Sequence, residues 1–280
     1  MLLRNVKTKY RAQASFPSLV EEYWRKYRIR LKDQQALHGI ARAGKLVVQT
    51  LAMIEPCIQP GVTTDELDTK IHEFTIQHDA IPAPLNYQGF PKSSCISVNH
   101  EICHGIPGPR RLQEGDIVNV DVTSILQGWY ADANRTFAVG QIAPQAEHLM
   151  LTTRQCLSRA IEVVQPGATL GDIGWAIQSH AEQAGYSIVR ELTGHGVGHA
   201  FHELPQIFHT GRPGKGLVLV PGMVFTIEPM LNAGAQAIKR LDDGWTIVTA
   251  DGSLSAQYEQ TLLVTDTGVR SLTPFSLEPL

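Results

Sequence analysis

The sequence predicts one α+β domain made of two related halves, with its strands in a curved central antiparallel sheet and its helices outside. Two internal echoes and one placement of acids predict this. Gln59-Pro60-Gly61 closes one amphipathic stretch, and Gln165-Pro166-Gly167 closes another 106 residues on. Gly115-Asp116-Ile117-Val118-Asn119-Val120-Asp121 reads as a turn entering a buried strand, and Gly222-Met223-Val224-Phe225-Thr226-Ile227-Glu228 repeats it 107 residues later. Each run ends on an acid six residues after its glycine, where a carboxylate is costly unless it is paired or bound to metal. A pseudo-twofold arrangement would set Asp121 and Glu228 facing each other across the central axis.

The elements follow in order. A helix is expected from near Asp33 to Ile54, with Leu37, Ile40, Ala41, Leu46, Val47 and Leu51 on its apolar face. After Pro60-Gly61, Thr63 or Thr64 caps the next helix, with Glu66 placed as in a capping box. Two strands joined around Gln127-Gly128 make a hairpin. A helix from about Gln145 to Val164 and another from the Ala168–Ile173 stretch to Gln183 open the second half.

Composition excludes several classes. The chain has 280 residues, 43% hydrophobic and 18% charged, which is ordinary for a globular protein and unlike disorder. Net charge is −3, so bulk charge does not mark a nucleic-acid binder. No apolar run approaches the ~18 residues of a membrane span. Cys57, Cys95, Cys103 and Cys156 form no C-x-x-C pair, and the expectation is reduced cysteines in a cytoplasmic protein.

Charge is uneven. Residues 1–32 hold nine Lys or Arg against two Glu, while the rest hold 15 basic and 25 acidic residues. The expectation is a basic extension, 1–32, ahead of a catalytic domain, 33–280. The first twenty residues lack acids, as transit peptides do, but show no cleavage pattern and no apolar signal region. A solvated arm is expected; its functional alternative is transient contact with RNA phosphates, as on a ribosome.

Five residues are candidate metal ligands. Asp121 and Asp132 flank the expected hairpin, where their spacing of eleven would pair them end to end. His195 sits between glycines that permit close backbone approach, Glu228 precedes Pro229, and Glu259 enters an apolar run. Four carboxylates and one imidazole form a hard, oxygen-rich set. Two divalent ions about 3.5–4 Å apart need bridging carboxylates of this kind. Such a set suits Mn, Fe or Co and tolerates Zn.

The stretches Cys103-His104-Gly105-Ile106-Pro107, Asn119-Val120-Asp121-Val122, Gly194-His195-Gly196-Val197-Gly198, Phe201-His202-Glu203, Thr226-Ile227-Glu228-Pro229-Met230 and Tyr258-Glu259 closely resemble those of type I methionine aminopeptidases. The resemblance runs from about residue 33 to 273. It implies the pita-bread fold and a dinuclear site of Co, Mn, Fe, Zn or Ni, held by Asp121, Asp132, His195, Glu228 and Glu259. It further implies a hydrolase that removes the initiator methionine from nascent chains whose second residue is small. A metal-bridging hydroxide would attack the scissile carbonyl, with the substrate amine on one metal. Glu228 would act as general base, His104 would contact the scissile amide nitrogen, and His202 would stabilise the oxyanion. Tyr87, Phe90, Cys95, Phe201 and Trp245 match positions of the methionine pocket. The chain departs from the family at His199, where Arg or Lys is frequent, at Gln260, where His is frequent, and at Phe90, where Tyr is common. A monomer is expected. A proline-specific relative of the same fold usually carries a large extra N-terminal domain, a non-enzymatic relative usually loses ligands, and a type II enzyme needs an insert for which His195 and Glu228, only 33 residues apart, leave no room.

Overall fold

The computed structural model describes residues 15–277. Arg4, Lys7, Lys9 and Arg11 of the basic extension lie outside them. The chain begins with α1 (Phe16–Tyr27), α2 (Gln34–Ile54) and α3 (Thr64–Gln77), then β1 (Ala80–Pro82), β2 (Cys95–Val98), β3 (Glu101–Cys103), β4 (Ile117–Leu126) and β5 (Trp129–Ala138). The second half opens with α4 (Pro144–Glu162) and α5 (Leu170–Gln183). Ten strands follow: β6 (Ser187–Ile188), β7 (Gly194–Gly196), β8 (Glu203–Ile207), β9 (Val224–Ile227), β10 (Met230–Asn232), β11 (Ile238–Arg240), β12 (Ile247–Thr249), β13 (Ser255–Gln257), β14 (Gln260–Val264) and β15 (Val269–Ser271).

The internal echo is a structural repeat. Gly61, at φ +94, donates its N–H to Leu112 O at 2.7 Å, and Gly167, at φ +91, donates to Leu219 O at 2.9 Å. Both helices that follow start on a threonine whose N–H is taken by an acid three residues on. Thr63 N–H meets Glu66 Oε2 and Thr169 N–H meets Asp172 Oδ2, each at 2.7 Å. An acid at this position satisfies an orphan amide and complements the helix dipole.

Each half buries helices against its own sheet. In the first, α2 and α3 pack on the sheet ordered β1-β4-β2, with β5 also on β4. Ile40, Val47, Leu51, Leu67, Ile71, Val118, Val120 and Ala133 form that core. In the second, α4 and α5 cover a core that includes Leu157, Ile173, Ile177, Phe225, Ile227 and Leu262. Its main sheet is ordered β15-β14-β9-β7-β8. All pairings are antiparallel.

The halves meet along a polar seam where β5 lies against β13 and β14. Thr261 Oγ1 donates to Asp132 O at 2.8 Å, Glu259 N–H to Asn134 O at 3.0 Å, and Asn119 Nδ2 to Gln257 O at 3.0 Å. These buried amides and hydroxyls tie β5 and β4 of the first half to β13 and β14 of the second across separate sheets.

The solvated-arm expectation fails for residues 15–32. In α1, Tyr23 is buried and its hydroxyl donates to Val218 O at 2.8 Å; Ile29 and Leu31 enter the second-half core. The physical reason is local amphipathicity. Leu19, Val20 and Tyr23 face the core, while Arg25, Lys26, Arg28 and Arg30 remain exposed, Arg28 and Arg30 each 5.3 Å from the Trp24 ring. Among described residues, no helix is long and apolar enough to cross a membrane.

Docking of this segment makes a prediction. Ile29→Ala is expected to cost about 2–4 kcal/mol of stability, as for other buried large-to-small changes. Urea unfolding measures it; a solvated arm would give a change within about 0.5 kcal/mol.

Candidate metal centre and active site

The site forms where the seam crosses the centre of the molecule. A two-residue turn at Gln127 and Gly128, both at positive φ, pairs Leu126 with Trp129. That register sets Asp121 opposite Asn134 and Thr123 opposite Asp132. Asp121 and Asp132 are therefore diagonal neighbours on one face rather than an end-to-end pair, because turn length fixes the register. Across the seam, β9 delivers Glu228 one residue beyond Ile227, whose ladder partner is Gln260, and Glu259 stands next to that partner. His195 is carried on β7 between Gly194 and Gly196. A Cβ on Gly194 would lie 2.4 Å from Thr226 O, and one on Gly196 would lie 2.4 Å from Leu204 O. Any larger residue at either position would push His195 out of place.

Asp132, His195 and Glu259 each present one ligand atom within 4.8 Å of the others. His195 Nε2 is 3.7 Å from both Asp132 Oδ2 and Glu228 Oε1. His195 Nδ1 lies 3.0 Å from the Gly196 carbonyl oxygen, so Nδ1 carries the proton and Nε2 offers its lone pair to the cluster. Four more groups orient the acids. Thr123 Oγ1 donates to Asp132 Oδ1 at 2.8 Å, Asn134 Nδ2 to Glu259 Oε2 at 2.7 Å, Thr226 Oγ1 to Glu228 Oε1 at 2.8 Å, and Gln257 Nε2 to Glu228 Oε2 at 3.1 Å. Asp121 Oδ1 and Glu259 Oε1 are buried with no hydrogen-bond partner.

Four acids so placed cannot all ionise without compensation. Burial, then the neighbouring carboxylates, pushes Asp121 and Glu259 well above the usual carboxylate range. Burial raises Asp132 to about 7, and burial followed by the charge of Asp132 raises Glu228 to about 8. Burial lowers His195 to about 4, keeping it neutral. Orphaned carboxylate oxygens, like charges and a neutral imidazole lone pair fit divalent cations and no apolar ligand.

All twelve residues expected at the site line one cavity of about 450 Å³. Tyr87 and Phe201 pack with ring centroids 4.9 Å apart, and Phe90 meets Trp245 edge-on at 5.2 Å. His202 Nδ1 lies 3.0 Å from Tyr87 Oη, and desolvation, then His195 and His104, lowers His202 to about 3. Burial and Arg240 lower His104, which is held at φ +55.

Sequence reasoning missed several contributors. Cys103, Leu192 and Met230 add sulfur and apolar surface to the cavity. Buried His209 receives the Glu228 N–H at 3.4 Å. Lys32 is buried, and its Nζ sits 2.6 Å from Glu203 Oε2. Glu203 Oε1 also accepts the His199 and Ala200 N–H groups at 2.7 and 3.0 Å, which braces the loop that carries Phe201 and His202.

The fold and the oxygen-rich buried cluster are those of a metallopeptidase, and the chain belongs to metallopeptidase family M24, whose profile matches residues 38–266. Methionine aminopeptidase A of Synechocystis is 52% identical over 246 residues, 88% of this chain and 97% of its own length. The crystal structure of methionine aminopeptidase from Rickettsia prowazekii superposes with a TM-score of 0.87 at 50% identity, covering 88% of this chain and all of that one. The methionine aminopeptidase from Thermotoga maritima gives the same TM-score at 40% identity. Within the family, this chain groups with the methionine aminopeptidases.

Membership implies divalent metal, and the raised acids predict how binding depends on pH. Below about pH 8 the metal-free cluster holds protons that an entering cation must displace. Adding Mn²⁺ to chelator-treated protein at pH 7 is expected to release protons, and affinity should fall as pH drops from 8 to 6. Calorimetry in two buffers of different ionisation heat measures this; heats independent of buffer would show that the acids were already ionised.

Proposed function

We propose that this chain removes the N-terminal methionine from polypeptides whose second residue is small. Two divalent ions would be held by Asp121, Asp132, His195, Glu228 and Glu259. The observation that carries the reading is the convergence of those five ligands with a sulfur- and aromatic-lined cavity. Co, Mn, Fe, Zn or Ni would serve, because the donors are carboxylate oxygens and one imidazole.

Bound there, the cations would supply Lewis-acid polarisation and activate water near neutral pH. The chain's residues do the rest. Glu228, oriented by Thr226 and Gln257, takes the proton from the attacking water and passes it to the departing amine. His202 is neutral in this environment. With Tyr87 Oη donating to its Nδ1, its Nε2 proton is free to meet the developing oxyanion. His104 contacts the scissile nitrogen. Phe90, Trp245, Tyr87, Phe201 and Cys95 enclose the methionine side chain, whose flexible, polarizable thioether suits aromatic and sulfur walls. The natural substrates are nascent polypeptide N-termini, and the exposed Arg25, Lys26, Arg28 and Arg30 would make transient contact with a polyanion such as the ribosome.

A peptide series Met-X-Ser with X of rising volume tests the reading. Met-Ala-Ser and Met-Gly-Ser are expected to be cleaved at least about 100-fold more efficiently than Met-Lys-Ser or Met-Phe-Ser. A bulky second side chain displaces the scissile bond, and about 1 Å of displacement costs about that much. Equal cleavage of Met-Phe-Ser and Met-Ala-Ser would point instead to a broad aminopeptidase.

A further inference from the structure

A second depression of about 590 Å³ adjoins the catalytic cavity. Leu204 and Gln206 line both, so the rim of one is the start of the other. Beyond them the floor continues with Phe208. Side chains two apart along an extended strand share a face, and here 204, 206 and 208 point outward while Pro205, Ile207 and His209 are buried. The opposite wall comes from Tyr23 and Tyr27 of α1, with Leu217 closing one side. Tyr27, Leu204 and Phe208 are 44%, 47% and 49% exposed. Large apolar side chains gathered in one exposed concavity mark a binding surface rather than ordinary surface scatter. The α1 wall lies outside residues 38–266, the part that matches the family.

We propose that this groove receives the downstream part of the substrate polypeptide, with a preference for apolar residues about four to six positions after the scissile bond. The inference rests on the aminopeptidase reading and extends it. Two observations choose the occupant. A polypeptide substrate must leave the catalytic cavity as extended chain, and the groove shares Leu204 and Gln206 with that cavity's lining. The length also fits: from His202 to Phe208 is six residues, with an irregularity where His195 pairs with Gln206 and Gly196 with Glu203, so Phe208 lies at most about 20 Å beyond His202. A tripeptide would end before reaching Tyr27 and Phe208, while a heptapeptide would cover them. The N-terminal extension thereby gains a role that its net charge does not suggest: its apolar face builds a wall for substrate while its basic face stays in water.

The test uses the metal-loaded full chain and three substrates: Met-Ala-Ser, Met-Ala-Ser-Gly-Leu-Phe-Leu and Met-Ala-Ser-Gly-Asn-Ser-Asn. The apolar heptapeptide is expected to show a KM about tenfold or more below that of the polar one, since covering one or two apolar side chains is worth at least one power of ten. Tyr27→Ser and Phe208→Ser, both outside the catalytic cavity, should bring that ratio close to one while leaving Met-Ala-Ser turnover unchanged. Unchanged tripeptide turnover also verifies that the variants fold. Equal KM for the two heptapeptides in the wild type would overturn the proposal and leave the groove to another occupant, such as residues 1–14 of the chain or a second copy. A preference that survives in both variants would also overturn it. In either case continued cleavage of Met-Ala-Ser would leave the aminopeptidase reading standing; failure to cleave any of the three would remove both.

Discussion

The structure depends on keeping four carboxylates in one buried space. Asp121, Asp132, Glu228 and Glu259 are raised by burial, and mutual repulsion adds to it for all but Asp132. Nothing apolar relieves that repulsion, and the hydrogen bonds from Thr123, Asn134, Thr226 and Gln257 satisfy only part of the oxygen surface. A chain that maintains such a cluster holds it in readiness for cations. The glycines beside His195, the polar seam and the braced Phe201-His202 loop all serve to hold those donors in position.

The two-half design explains how the cluster is built. Asp121 and Glu228 occupy matching places, 107 residues apart, after matching glycine turns. The second pair breaks the symmetry. Asn134 faces Asp121 across β4 and β5, and the place beside Glu228 on the other ladder is held by Glu259. Asn134 Nδ2 donates to Glu259 Oε2. One half thus offers an amide where the other offers an acid, and the neutral mate orients the charged one. An unbroken repeat would place a fifth carboxylate here and add to the repulsion.

Much of this was legible in the sequence, because the signals were local. A proline-glycine turn, a capping box and an acid ending an apolar run each announce themselves within about six residues, and all twelve candidate residues do converge. What was not legible depended on distance or on competing signals. The diagonal placement of Asp121 and Asp132 follows from the two-residue turn at Gln127-Gly128, which sets the register. The docking of α1 was hidden because Leu19, Val20 and Tyr23 form a short stripe in a segment dominated by charge. Lys32 is a residue type usually solvated, and its partner Glu203 lies 171 residues away. His209 gave no signal, since a histidine in an apolar run has no local mark of what it faces.

Thermal unfolding at pH 8, with chelator and with Mn²⁺, compares the wild type with Asp121→Asn and tests the central constraint directly. At pH 8 Asp132, raised to about 7, is mostly ionised and Glu228, raised to about 8, is about half ionised, and holding these acids in one buried space costs stability once metal is removed. The account predicts that wild type loses stability in chelator, that Asp121→Asn in chelator is more stable than wild type in chelator, and that Mn²⁺ stabilises the variant much less. Equal stability of the two proteins in chelator, together with an equal gain from Mn²⁺, would contradict it.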